Sequence, residues 1–341
     1  MQSYLTPQLD QHRSQIIRSS MLEQVSAQSL SASALPWAAF KLLMLSLLLV
    51  LALLHAWQEP SPPLVFLSCL CIAFILAQFA FLGHDAGHGT IHKRKSLNYL
   101  MGQVSMTIAT GLTFGEWYAR HRTHHQFCQL EEKDPDMDID LVVSLTALSK
   151  QKKNSLGLWM TRYQHLHVWF LALFFAYSQR HLAQWGSLKQ PLKYWKDLVF
   201  LMLHLSLWWL FPLYVLHVDG TRVAVVYFLP LLFLGPYLAA IFWVNHIGMP
   251  LIRNVENFSF LEHQAATSRT ILNARWMDWF FGGLNFQIEH HLFPHVPSFR
   301  LKRVQAIVRR EFAEQALPYN GMRFWKAVQV VAQHFWQLAR D

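Results

Sequence analysis

The stretch PWAAFKLLMLSLLLVLALLHAW at 36–57, then QEPSPP at 58–63 and LVFLSCLCIAFILAQFAFL at 64–82, decides the fold. Each apolar run holds about 20 residues, enough for a helix to cross roughly 30 Å of hydrocarbon. Lys41 sits near the start of the first run, where its amine reaches the interface. The prolines between the runs end the first helix, so the chain turns and crosses back as a hairpin. A second apolar pair, Leu198 to Val218 and Val223 to Val244, is joined only by Asp219-Gly220-Thr221-Arg222, too short for anything but another hairpin. The expected fold is therefore all-α and integral to a membrane: two transmembrane helical hairpins, with spans at about 36–57, 64–82, 198–218 and 223–244.

Composition agrees. The 341 residues are 53% hydrophobic and only 14% charged, which excludes a disordered tail and an ordinary soluble enzyme. The net charge of +9 does not point to nucleic acid, because the basic residues are sorted by membrane side. Apart from Lys41 within a span and Arg222 in an outer turn, all 29 Lys and Arg fall before the first hairpin, between the hairpins or after the second. The positive-inside rule places those segments and both termini in the cytoplasm. Three cysteines exclude a disulfide scaffold.

A cytosolic lead-in is expected over 1–35, without the apolar core and cleavage site of a secretory signal. The remainder, 36–341, reads as a single domain whose cytosolic helical cap comprises 83–197 and 245–341. Within the cap, Leu97 to Trp117 and Leu156 to Tyr177 are apolar but interrupted by Glu116 or by Arg162, His165 and His167, and are expected as interfacial helices.

Nineteen histidines carry the chemistry. In His84-Asp85-Ala86-Gly87-His88, directly after the second span, two imidazoles one helical turn apart suit one metal ion. Alone this is weak, since about one such pair arises by chance in a chain so rich in histidine. His121-Arg122-Thr123-His124-His125 sets three imidazoles on one helix face, an arrangement expected by chance only ~0.06 times per chain. Gln287-Ile288-Glu289-His290-His291 repeats that spacing with Gln first. Adjacent histidines on a helix diverge by about 100°, so the two rings of a pair serve different ions. His246, at the cytoplasmic end of the fourth span, reaches the same face.

Eight His and Gln287 suffice for two metal ions, and imidazole with few carboxylates favours iron, zinc or copper over magnesium or calcium. The bland alternative is a His-rich surface that binds lipid headgroups; repeated spacing on one membrane face speaks against it. Asp85, Glu116, Asp134, Asp136 and Glu289 are available as acceptors behind the rings, although 131–136 reads equally well as a solvated turn, and His263 and His295 are further partners of that kind. His92 adjoins Lys93, Arg94 and Lys95 and reads as solvated; His204, inside the third span, reads as a satisfied packing group.

With these residues in place, the chain resembles the membrane-bound fatty acid desaturases from about residue 70 to 340. The wording around His84 and the run Gly282-Gly283-Leu284-Asn285-Phe286-Gln287-Ile288-Glu289-His290-His291-Leu292-Phe293-Pro294 is similar to the front-end branch, where Gln opens the last box. The resemblance implies a non-haem diiron site that uses O2 and two supplied electrons to place a double bond in a fatty acyl chain. It implies His84, His88, His121, His124, His125, His246, His290 and His291 as iron ligands, with Gln287 less certain because an amide binds metal or holds a water. The acyl chain is linked to lipid, CoA or a carrier protein. No His-Pro-Gly-Gly motif of a fused cytochrome b5 occurs, so a separate ferredoxin, or cytochrome b5 with its reductase, is expected to bring electrons. Where the stearoyl-CoA branch has an Asn one turn before the fourth-span His, this chain has Phe242, with Asn245 adjacent.

The expected location is a bacterial inner membrane. Two other readings stay open: a diiron lipid or carotenoid hydroxylase, which the boxes alone do not separate, and a His-rich metal transporter, which would need polar ligands within the spans. The four-span topology predicts that, in a cysteine-free background, cysteines at Gln151 and Gln337 react with an impermeant thiol reagent from one side of the membrane and a cysteine at Thr221 from the other. Labelling of all three from one side contradicts it.

Overall fold

The computed structural model describes residues 9–137, 143–272 and 275–340. In chain order its helices are α1 (Gln11–Ala27), α2 (Leu35–Gln58), α3 (Pro62–Gly87), α4 (Lys95–Gly102), α5 (Phe114–Phe127), α6 (Ala147–Gln151), α7 (Ser155–Arg162), α8 (Gln164–Leu171), α9 (Phe175–Lys189), α10 (Trp195–Leu205), α11 (Gly220–His246), α12 (Phe260–Ala266), α13 (Arg275–Phe280), α14 (Gln287–Leu292), α15 (Leu301–Glu314) and α16 (Phe324–Arg340). Two short strands, β1 (Thr270–Ile271) and β2 (Gly321–Met322), pair in parallel. The described residues form two compact units, 33–119 with 171–239, and 9–32 with 120–170 and 240–340.

α2, α3, Trp195–Val215 and α11 are each long and apolar enough to cross a membrane, and the chain is an all-α integral membrane protein. Prolines in the first turns of α2 and α3 cost no hydrogen bond, because N–H groups there have no helical partner. The second and fourth spans are the inner ones, 61% and 44% buried against 22% and 17% for the first and third. These two carry His84 and His246 at their ends.

The second span differs from its expected limit. α3 runs through Gly83, His84 and Asp85 to Gly87, because the loss of apolar character at residue 83 does not break a helix; the first left-handed residue is Gly89. His84 therefore rides on the last turn of the span and His88 caps it.

The apolar segment 97–117 is likewise not one helix. α4 widens into π-type turns over Gln103–Ile108, the chain reverses at Gly111 with φ +75°, and α5 starts at Phe114. Gln103, Ser105, Thr107 and Thr113 are fully buried. Of these, Gln103, Thr107 and Thr113 hydrogen-bond within the fold. Asp197, also fully buried, accepts from Tyr99 Oη (3.1 Å), from Gln103 Nε2 and from the backbone N–H groups of Gly115 (3.1 Å) and Glu116 (3.0 Å). Its carboxylate thus closes the positive end of α5, the helix that carries the second histidine box. A Cβ at Gly115 would lie 2.8 Å from that carboxylate, so glycine is required. His204 is satisfied as a packing group by Ile108 O (2.8 Å) and Tyr227 Oη (3.0 Å).

The second unit has its own core. Ile17, Met21 and Val25 of α1 pack with Ile288 and Leu292 of α14 and with Val304, Ile307, Val308 and Phe312 of α15. This sequesters α14, six residues long, whose side chains are all buried. Over α7 and α8 a stripe of Leu156, Trp159, Tyr163, Leu166 and Phe170 is exposed while Gly157, Thr161, Gln164 and Val168 are buried, the amphipathic pattern of a helix pair at a lipid surface.

Asp197→Ala is expected to lower stability by about 3 kcal/mol, because it strands buried donors, with Asp197→Asn milder. Thermal unfolding in detergent measures this, and an unchanged midpoint for the alanine variant would contradict the role given to the carboxylate.

Candidate metal centre

Three imidazoles of the second unit meet edge to edge. His125 Nε2 lies 3.1 Å from His121 Nε2 and 3.0 Å from His290 Nε2. The i, i+4 spacing on α5 brings the first two together, and α14 delivers the third. A neutral imidazole has one N–H and one lone pair, and three Nε2 atoms gathered at this spacing are a donor set that a cation could accept.

A second group adjoins it. Nitrogens of His124, His246 and His291 and the sulfur of Cys128 all lie within 4.8 Å of one another. The ring centroids are 4.8 Å apart for His124 and His246, 5.2 Å for His124 and His291, and 5.0 Å for His246 and His291. As the 100° step predicts, His124 and His125 face different groups, and so do His290 and His291.

The partners behind the rings define which nitrogen is available. His124 Nδ1 donates to Asp134 Oδ1 at 2.9 Å, and that buried carboxylate also accepts from Gln129 N (2.8 Å) and Asp136 N (3.0 Å). Burial works against the charged ring, but Asp134 and Asp136 outweigh it and hold His124 up at about 9. His246 Nδ1 donates to Thr267 O at 3.2 Å, with Cys128 Sγ 3.5 Å away. Burial and the Asp134 charge keep that thiol well above its ordinary range, hence neutral. His291 donates through Nδ1 to Gln264 Oε1 at 2.7 Å, while among the described residues its buried Nε2 has no hydrogen bond. Burial and the neighbouring imidazoles hold His291 well below the ordinary histidine range, so it keeps a free lone pair. A buried nitrogen without a partner, flanked by two other imidazoles, fits a metal ion.

Gln287 Nε2 lies 2.9 Å from His246 Nε2, and Gln287 Oε1 accepts from Asn245 Nδ2 at 3.1 Å. Glu289 points elsewhere: its buried carboxylate accepts from Thr270 Oγ1 (2.7 Å) and Tyr319 Oη (2.6 Å), fixing α14 against β1 and the 319–322 segment. His263 Nε2 donates to Cys128 O at 2.8 Å. His295 is exposed and lies against the Phe293 ring.

His84 and His88 belong to the other unit and form a pair there, with ring centroids 4.8 Å apart. The His84 ring is 5.9 Å from Trp117, on the first turn of α5, and its Nδ1 is 4.0 Å from Asp85 Oδ1. Burial and the neighbouring His84 keep His88 neutral.

Sequence reasoning did not mark Gln264, nor Cys128 as a neighbour of His246. A lone Gln or Cys carries no spacing signal; only the fold places them beside the rings.

Comparison with known proteins agrees with this picture. The family described as fatty acid desaturase matches residues 60–323. The chain is 28% identical over 277 residues to a Delta(8)-fatty-acid desaturase of Borago officinalis, covering 76% of this chain and 61% of that protein. It is 31% identical over 266 residues to a fatty acid desaturase 2-like protein of Mus musculus, covering 76% and 54%. To a Delta(5) fatty acid desaturase of Caenorhabditis elegans it is 27% identical over 269 residues, covering 74% and 59%. The chain thus spans about three fifths or less of the length of these relatives.

Asp134→Ala is expected to weaken metal binding by about 10- to 100-fold by releasing the His124 ring. Metal content by mass spectrometry after dialysis against a graded chelator reads this, and retention equal to wild type counts against the assignment.

Proposed function

The chain belongs to the fatty acid desaturase family, and we propose that it is an O2-dependent oxidoreductase that introduces a double bond into a fatty acyl chain at a non-haem diiron centre. The observation that carries the proposal is the convergence of histidine nitrogens in two adjacent groups, His121 with His125 and His290, and His124 with His246 and His291. His84 and His88 are proposed as further metal ligands, supported by the family pattern and by their pairing one turn apart. Gln287 is proposed to complete the second group from its place beside His246.

An acyl methylene C–H has no useful acidity, so no general base in the chain removes its proton. Two iron ions held in these groups supply the redox chemistry, drawing on O2 and two external electrons. The chain's own residues ligate, orient and dry the centre. Buried rings on rigid helices hold their nitrogens in place, and the acceptors behind them choose the exposed lone pair.

The substrate is proposed to enter from the bilayer, its carrier being lipid, CoA or carrier protein. The cap, proposed as 83–197 with 245–341 and joined by the lead-in 1–35, would lie on the cytoplasmic side of an inner membrane. A separate ferredoxin or cytochrome b5 is proposed to deliver electrons to its basic face, where Lys302, Arg303, Arg309 and Arg310 of α15 are exposed.

Expression in a host that lacks the product lipids, with mass spectrometry of the acyl chains, is expected to show loss of two hydrogens at one position, reduced to background by His290→Ala with membrane insertion intact. Gain of one oxygen instead transfers the reading to a hydroxylase, and full activity of the alanine variant would falsify the ligand assignment.

A further inference from the structure

Gln264 lies on α12, only seven residues long, and its side chain is 1% exposed. Its amide touches three partners. Nε2 donates to the backbone carbonyl of His125 at 3.0 Å and lies 3.3 Å from His263 Nδ1; Oε1 lies 2.7 Å from His291 Nδ1.

Chemistry fixes the direction of each bond. Carbonyl oxygens only accept, so the amide end facing His125 O is the NH2 end. The other end, Oε1, also only accepts, so His291 Nδ1 must carry the proton, and its Nε2 keeps the lone pair. The same logic holds one step back. His263 Nε2 faces Cys128 O at 2.8 Å and must donate, which leaves His263 Nδ1 an acceptor for the second amide hydrogen. Each group in this relay has one consistent assignment, and it terminates at the buried His291 Nε2, which among the described residues has no hydrogen bond.

We propose that Gln264, through its Oε1 acceptor, is the positioning residue that sets the tautomer and ring plane of His291 for metal binding. The inference rests on the metal-centre reading above and extends it to a residue outside the histidine boxes. It gives the two neighbouring rings unlike anchors. His124 is backed by a carboxylate and His291 by a neutral amide.

The test uses the full chain in detergent and cobalt(II) alone, whose absorption reports coordination without turnover. Gln264→Met keeps length and packing but removes the acceptor and both donors. Gln264→Glu keeps an acceptor for His291 and removes the donors. The proposal expects the Met variant to bind one cobalt equivalent about 10- to 100-fold more weakly with an altered visible spectrum, and the Glu variant to stay within a few-fold of wild type. Wild-type binding and spectrum in the Met variant overturn it. So does equal loss in both variants, which would assign the effect to the His125 carbonyl contact or to packing. If the wild-type chain binds no cobalt that His124→Ala removes, the metal-centre reading itself fails, and this inference with it.

Discussion

Buried imidazole nitrogens facing one another are the constraint that shapes the rest of the molecule. Leaving a buried polar group without a partner costs on the order of a few kcal/mol. His121, His125 and His290 set their Nε2 atoms about 3 Å apart, and among the described residues His291 Nε2 has no hydrogen bond. Holding imidazoles so close together requires a fold rigid enough to fix each ring, and the nitrogens it gathers are the ones a cation would use.

Rigidity comes from closing helix ends with buried charge of the matching sign. Asp197 accepts the first free N–H groups of α5, where the dipole is positive. Arg269, 1% exposed, does the converse for the fourth span: its guanidinium donates to Val244 O (2.6 Å) and Ile247 O (3.2 Å), on either side of His246. Its backbone N–H takes Asn245 O at 2.9 Å. α14 is too short to be stable alone, and Glu289 ties it to Thr270 and Tyr319 while Ile288 and Leu292 enter the apolar core. α5, α11 and α14 are thus each anchored a turn or less from their histidines or at their own N-terminus.

Much of this was legible in the sequence, because hydropathy and i, i+3, i+4 spacing are properties of one element at a time. The four spans and the three boxes follow from them, and so does the divergence of adjacent histidines. What was not legible depends on pairs of elements. Glu116 read as an interfacial interruption of 97–117, yet its backbone N–H and the side chain of Gln103 both meet Asp197, some 80 to 95 positions away. For the acidic turn at 131–136 the sequence left two readings, acceptors behind the rings or a solvated turn, and only the fold, which brings Asp134 onto His124, decides between them. Gln264 precedes the third box by more than 20 residues, and nothing in its neighbourhood sets it apart until α12 lies beside α14.

The second histidine group shows why these non-local partners matter chemically. Its rings are backed by three different acceptors: the Asp134 carboxylate for His124, the Thr267 peptide carbonyl for His246, and the Gln264 amide for His291. A carboxylate makes an imidazole a stronger electron donor than a neutral carbonyl does, because it stabilises the positive charge that builds on the ring when the far nitrogen binds a cation. The Asp134 and Asp136 carboxylates favour charge on His124, whereas burial and the neighbouring imidazoles disfavour it on His291. Three chemically identical side chains therefore become unequal ligands, and the inequality is written in residues outside the histidine boxes. Spacing decides where a metal ion can bind; the acceptors behind the rings decide how strongly each nitrogen holds it.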